Sequence, residues 1–317
     1  MTPSPHSLTV TALAVLSLSA LGSATAQAAT DVEPLTAATP VAAYHGTAMW
    51  SRLDAATGKY QLVQAIDGAA PTLVAVPQRD GAFDIDLGTN RAGSTYAVYS
   101  RGGDLFRLNP RTAIEKKLTK LSSADQAERS PTIRRGRIAF VRRVGGRDQL
   151  RIGDTTTGSK GTRLLLERKA IESVALGIKQ VSWIDRVTKG QVSSRYRVHI
   201  RNIATANDRI VYEAGGGGAT FTTVTKPAFT ADESGVLWAV ARKGASGSRI
   251  VKYTLRTSKL SYAQGSPSYA SVAWVSDALG AIVSTNSGGD PNAGTTDCNA
   301  DACSIHYTGP LSFNLKP

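Results

Sequence analysis

Gly136-Arg137-Ile138-Ala139-Phe140-Val141-Arg142, the polar turn Arg143-Val144-Gly145-Gly146-Arg147, the strand-like Asp148-Gln149-Leu150-Arg151-Ile152-Gly153-Asp154 and the turn Thr156-Thr157-Gly158 form the stretch that decides the fold. Its first apolar run is nearly continuous and its second alternates. Both patterns belong to β-strands bounded by turn residues. The same phrase returns along the chain. Ala48-Met49-Trp50 is followed by Tyr60-Gln61-Leu62-Val63. Tyr96-Ala97-Val98-Tyr99 is followed by Leu105-Phe106-Arg107-Leu108. Val181-Ser182-Trp183-Ile184 precedes Tyr196-Arg197-Val198-His199-Ile200. Val236-Leu237-Trp238-Ala239-Val240 precedes Ile250-Val251-Lys252-Tyr253, and Ala281-Ile282-Val283 precedes Cys303-Ser304-Ile305-His306-Tyr307.

The ends of the first strands fall at Trp50, Tyr99, Val141, Ile184, Val240 and Ser284. That spacing is close to the roughly 40–50 residues needed for a four-stranded propeller blade. The stretch between Ile184 and Val240 is the longest. A weaker outer strand follows each of the first five pairs, around Leu73, Lys116, Leu165, Val211 and Ser261. No window beyond the amino-terminal segment shows a helical period. A β-sandwich also has short strands and regular turns, but the recurring two-strand unit favours an all-β, six-bladed β-propeller of four-stranded antiparallel blades. A closed ring borrows a strand from the far end of the chain. Val41-Ala42-Ala43-Tyr44, beside Leu311-Ser312-Phe313-Asn314-Leu315, is the expected closure.

The unit carried by Arg137-Ile138-Ala139-Phe140-Val141, Gln149-Leu150, Asp154 and Thr157-Gly158 resembles the WD40-like repeat of the TolB-type six-bladed propellers. That family places Ser-Pro-Asp-Gly before the first strand. Here Ser130-Pro131 with Arg135-Gly136, and Thr230-Ala231-Asp232-Glu233-Ser234-Gly235, stand in divergent form. The resemblance implies a binding platform, because members mostly bind proteins or polymers, and it implies no reaction.

Residues 8–21 form an apolar run followed by Ala24-Thr25-Ala26 and Ala26-Gln27-Ala28. A run this short followed by small-x-small sites reads as a cleaved export signal rather than a membrane span. Residues 2–20 contain no Lys or Arg, so the signal is weak or the start codon is mis-assigned. The expected organisation is a signal at 1–28, a flexible lead-in at 29–40 and a propeller at 41–317. Secretion, no transmembrane segment after signal removal and a monomeric state follow as expectations. In an oxidising compartment Cys298 and Cys303 are expected to form a local disulfide. The loop around them alternates Asp297, Asn299 and Asp301. Calcium loops do the same, but Ala302 and Thr308 stand where the glycine and the chelating Glu belong. No metal or cofactor is therefore assigned.

No Gly-x-Ser-x-Gly elbow occurs, and the glycines at 215–218 lack the Lys and helix of a phosphate cradle. His199 and His306, at matching places in two second strands, read as blade packing or as outward polar positions. Asp84 and Asp86 share one strand face and could line the axial channel, which leaves an extracellular hydrolase or lyase as the alternative. Charge is the sharper clue. The chain has 37 Lys and Arg against 24 Asp and Glu, and residues 101–201 alone hold 24 against 9, so the excess lies on the middle blades. Such a field attracts polyanions. Arg134, Arg135, Arg142, Arg143 and Arg147 are the candidate binding residues. Nucleic acid is disfavoured because Phe140 is the one aromatic between Lys116 and Lys179, where base stacking would want several. The expected function is an exported, non-catalytic propeller that binds a protein or an anionic cell-envelope polymer.

Overall fold

The computed structural model describes residues 30–37, 39–155, 161–189, 193–215, 222–230, 232–242, 249–264, 269–276, 280–285, 303–308, 311 and 313. The segment at 1–28, Cys298 and the Asp297–Asp301 run lie outside them. Among the described residues no helix is long and apolar enough to cross a membrane.

Six antiparallel sheets follow one another around a ring; five are built from strands in sequence order from the axis outward, and the sixth takes its outermost strand from the amino-terminal end. The first blade is β2 (Val41–Tyr44), β3 (Thr47–Asp54), β4 (Lys59–Ile66) and β5 (Thr72–Leu73). The second is β6 (Asp86–Thr89), β7 (Thr95–Arg101), β8 (Asp104–Asn109) and β9 (Ile114–Lys117). The third is β10 (Glu128–Arg134), β11 (Arg137–Val144), β12 (Arg147–Asp154) and β13 (Arg163–Arg168). The fourth is β14 (Ile171–Leu176), β15 (Gln180–Lys189), β16 (Ser193–Asn202) and β17 (Asp208–Gly215). In the fifth, β18 (Thr222–Val224) and β19 (Ala228–Phe229) both pair with β20 (Gly235–Arg242), followed by β21 (Arg249–Thr254) and β22 (Lys259–Gln264). The sixth is β23 (Tyr269–Ser276), β24 (Gly280–Thr285), β25 (Cys303–Tyr307) and, outermost, β1 (Thr30–Leu35). The protein is an all-β, six-bladed β-propeller.

Ring closure differs from the sequence expectation. Val41–Tyr44 is the inner strand of the first blade, in register with Thr47–Trp50. The closing strand is β1, which lies in the stretch expected to be a flexible lead-in. It pairs with β25 from Thr30↔Tyr307 to Leu35↔Cys303. The reason is burial. Leu35 enters the apolar cluster between the sixth and first blades, with Trp50, Ile282 and Tyr307. Glu33 accepts the buried Trp50 indole N–H at 3.0 Å and pairs with Arg52.

The second strands read as continuous apolar runs because both of their faces are buried between blades. Successive side chains alternate sides. Trp50, Tyr99, Phe140, Trp183 and Trp238 face the preceding blade; Met49, Val98, Val141, Ile184 and Leu237 face the following one. Each inter-blade seam is thus one apolar cluster. Polar ties cross the seams near the axis, where the blades converge. The Phe83 N–H donates to Ser51 Oγ at 2.8 Å, and the Val41 N–H donates to Ser271 Oγ at 3.0 Å. Gly88 lies so close to the next blade that a Cβ would stand 2.0 Å from the Ile133 carbonyl oxygen.

The upper face carries the links between blades and the turns joining second to third strands. The lower face carries the turns joining inner to second strands.

Candidate functional site

The axial channel is built by all six inner strands. It narrows to a cavity of about 30 Å³ lined by, among others, Tyr44, Asp86, Arg134, Lys226, Phe229 and Val272. That is room for a few waters and too little for a sugar ring. Two cationic side chains, from the third and fifth blades, line it. Arg134, at the lower end of β10, ion-pairs with Glu233 of the fifth blade and lies 4.6 Å from the ring centre of Tyr44 in the first. Glu233 also accepts the Ile178 N–H of the fourth blade at 2.7 Å. Lys226 of the fifth blade donates to the Ile85 carbonyl of the second at 3.0 Å, with Asp86 at 3.8 Å.

Asp86 lines this cavity, but Asp84 precedes β6 and is not among the lining residues, so the two do not share a strand face as the sequence suggested. Both are occupied by structural bonds. Asp86 Oδ2 accepts the Thr132 hydroxyl at 2.7 Å and the Ile133 N–H at 2.9 Å. Thr132 in turn accepts the Leu176 N–H at 3.0 Å, so one relay ties the second, third and fourth blades. Asp84 accepts the Ser100 N–H at 2.8 Å, its hydroxyl at 2.7 Å and the Ser130 N–H at 2.8 Å. Ser130 holds φ at +50° inside a bulge of β10. The divergent Ser-Pro pair is therefore a blade-to-blade splice. Thr230-Ala231-Asp232-Glu233-Ser234-Gly235 spans the turn between inner and second strands, where Asp232 accepts from Thr230 at 2.7 Å and from the Ser234 N–H at 3.0 Å.

The five arginines singled out in the sequence do not form one patch. Arg134 is buried in the channel. Arg135 is exposed on the lower face, in a turn where it holds φ at +46°. Arg142 is on the upper side but packed inward. It donates to the wholly buried Glu128 at 2.8 Å and to the Leu121 carbonyl at 2.7 Å. Burial pushes the Glu128 carboxyl above its usual range, against the lowering pull of the Ser123 N–H and Arg142. Arg143 and Arg147 are exposed on the upper rim.

On that rim the structure brings in residues the sequence did not single out. Asp148, 1% exposed at its side chain, binds Arg129 at 2.6 Å and Arg143 at 3.0 Å, and accepts the Ile171 N–H at 2.8 Å. Arg143 also donates to the Lys169 carbonyl at 3.2 Å, Arg147 pairs with Glu167, and Arg186 pairs with Glu172 at 3.0 Å. Arg129, Arg143, Arg147 and Arg186 thus surround Asp148, Glu167 and Glu172, four positive charges against three negative. Proximity across the seam between third and fourth blades makes this cluster, and no local sequence pattern records it.

Below the rim, His199 is buried and stacks on Trp183 with ring centres 4.7 Å apart. Its two ring nitrogens face Asp185 at 3.1 Å and Asp208 at 3.3 Å, and Arg168 bonds Asp208 at 2.7 Å. This is buried packing against Trp183, one of the two positions the sequence reading allowed. Cys303 is buried in β25. Among the described residues no group of three or more His, Cys, Asp or Glu is placed to hold a metal ion.

Solved structures of similar shape agree on the fold. An oligogalacturonate lyase in complex with manganese matches with a TM-score of 0.53 and 12% identity, over 83% of this chain and 79% of that one. The oligogalacturonate lyase of Vibrio parahaemolyticus matches with 0.54 and 9%, over 87% and 78%. A chain of the nidogen/laminin complex matches with 0.51 and 10%, over 76% and 86%. At these identities the likeness establishes the propeller and nothing finer. No protein-family model matches the chain, and no curated protein matches it in sequence.

Proposed function

We propose that this propeller is an exported binding platform whose upper rim, over the third and fourth blades, takes an anionic envelope polymer. The observation that carries the reading is the fixed cluster around Asp148. The buried carboxylate holds Arg129 and Arg143 in place, 41% and 52% exposed at their side chains, so guanidinium N–H groups still reach solvent. Oriented guanidinium forks suit carboxylate and phosphate groups. Arg147 and Arg186 are held by exposed pairs, which are worth little and exchange readily for an incoming anion. The site proposed from sequence thereby shifts to Arg129, Arg143, Arg147 and Arg186. Export is part of the same proposal, as is a Cys298–Cys303 bridge, which a thiol count on the denatured, unreduced protein tests.

The alternative, a hydrolase or lyase using Asp84 and Asp86, is disfavoured by their structural bonds and by the narrowness of the axial cavity. Two of the structural neighbours are oligogalacturonate lyases, which makes polygalacturonate the first probe. Co-sedimentation at low salt is expected, weakening as salt rises, with the Arg147→Gln/Arg186→Gln variant, whose exposed pairs carry little stability, binding several-fold more weakly. Equal binding by parent and variant sinks the rim assignment. Turnover of polygalacturonate that disappears on Asp86→Asn restores the enzymatic reading.

A further inference from the structure

A second concavity lies on the flank, between the outer strand of the second blade and the third blade. It has a volume of about 210 Å³ and is lined by Lys116, Lys117, Thr119, Lys120, Asp154 and Thr155, with Leu118 and Leu121 behind. We propose that it binds a small oxyanion-bearing ligand, a carboxylate or phosphate on a body of about one sugar ring.

The strand pattern aims the charges. Along β9, Glu115 reaches back across its own blade to Arg101, and Lys117 pairs with Asp104 at 2.6 Å. Lys116 lies between them and points to the other side of the sheet. The chain then turns through Leu118–Leu121, where Leu118 and Leu121 enter the apolar seam with Ile133 and Phe140. Those buried anchors hold Thr119 and Lys120 at the mouth. Lys116 and Lys120 have no carboxylate partner among the described residues. The one carboxylate in the wall, Asp154, ion-pairs with Arg91, so it does not cancel them. Lys116, Thr119 and Lys120 therefore line a concavity whose single negative charge is already matched. The volume lies below the ~300 Å³ at which pockets for drug-sized ligands begin, which sets the size of the ligand.

The test uses the whole chain, with nuclear magnetic resonance titrations of glucuronate, inorganic phosphate and glucose. Saturable shifts at the Thr119, Lys120 and Thr155 amides are expected with at least one of the two anions, and none with glucose. Response to phosphate alone assigns a phosphate-bearing ligand, and response to glucuronate alone a uronate. Lys116→Gln/Lys120→Gln is expected to weaken that binding roughly tenfold or more, since hydrogen bonds to charged groups are the strong ones. Both lysines are exposed, so the variant folds. Absence of a saturable response to either anion, or unchanged affinity in the variant, overturns the proposal. The Arg147→Gln/Arg186→Gln variant is expected to titrate like the parent, which separates this pocket from the rim.

Discussion

Replacing Arg134 by Met separates two accounts of this residue. If Arg134 belonged to a surface patch, as its neighbours in the sequence suggest, the change would leave stability within about 0.5 kcal/mol and weaken polymer binding. The structure gives the opposite expectation. Arg134 is 6% exposed and spans the axis from the third blade to the fifth and first. Removing one partner of a buried pair costs about 3–5 kcal/mol because the other charge is left uncompensated. Glu233 keeps 16% side-chain exposure and the Ile178 N–H, which lowers this to about 2–4 kcal/mol. The lost contact with Tyr44 adds about 0.5–2 kcal/mol, and Met retains part of the packing. A loss near 3–4 kcal/mol is expected, a large fraction of the 5–15 kcal/mol that folded domains possess. The assay is urea unfolding of the parent, Arg134→Met, Glu233→Gln and the double variant, read as a double-mutant cycle. The double variant should cost clearly less than the two singles summed, and binding to polygalacturonate should be unchanged at temperatures where the variants are folded. A single-variant loss below about 0.5 kcal/mol, or strict additivity, refutes the axial role.

Three other outcomes follow from the fold. Glu33→Ala should cost about 2 kcal/mol by leaving the Trp50 indole N–H buried without its acceptor, and the loss should appear as a lowered melting temperature with altered tryptophan fluorescence. Gly88→Ala should cost at least about 2 kcal/mol in denaturant unfolding, since a Cβ 2.0 Å from the Ile133 carbonyl oxygen forces the second and third blades apart. Burial holds His306 below its ordinary value of 6.5, opposed by Asp31 on the closing strand. The unfolded chain then binds the extra proton first, so this contribution to stability is present above pH 6.5 and is lost as pH falls through 6.5 toward the depressed value. His306→Gln should flatten that part of the stability profile, and Asp31→Asn should lower the His306 pKa further in a titration followed by magnetic resonance.

The sequence by itself determined the blades. Second strands such as Ala97-Val98-Tyr99 and Ile138-Ala139-Phe140-Val141 are buried on both faces between neighbours, so their composition records their environment directly. Third strands alternate because they begin to meet solvent, and the outer strands lie where their weak signal placed them. The inner strands left no such signature. β6 is Asp-Leu-Gly-Thr, and β10 contains Glu128, Ser130 and Pro131. Their polar groups are satisfied by other blades, as when Asp86 binds Thr132, and only the closed ring brings those partners together. Closure was misplaced for the same reason: Glu33 and Leu35 gain value from Trp50 and Cys303, which are distant in sequence. Net charge was legible, since composition needs no geometry. Its distribution was not. Arg134, Arg142 and Arg143 are near neighbours in the chain, yet one seals the axis, one neutralises Glu128 and one stands on the rim. Strand alternation and the span of β11 send them to different places. Which arginines remain available to a partner was therefore decided by the carboxylates that folding placed beside each of them.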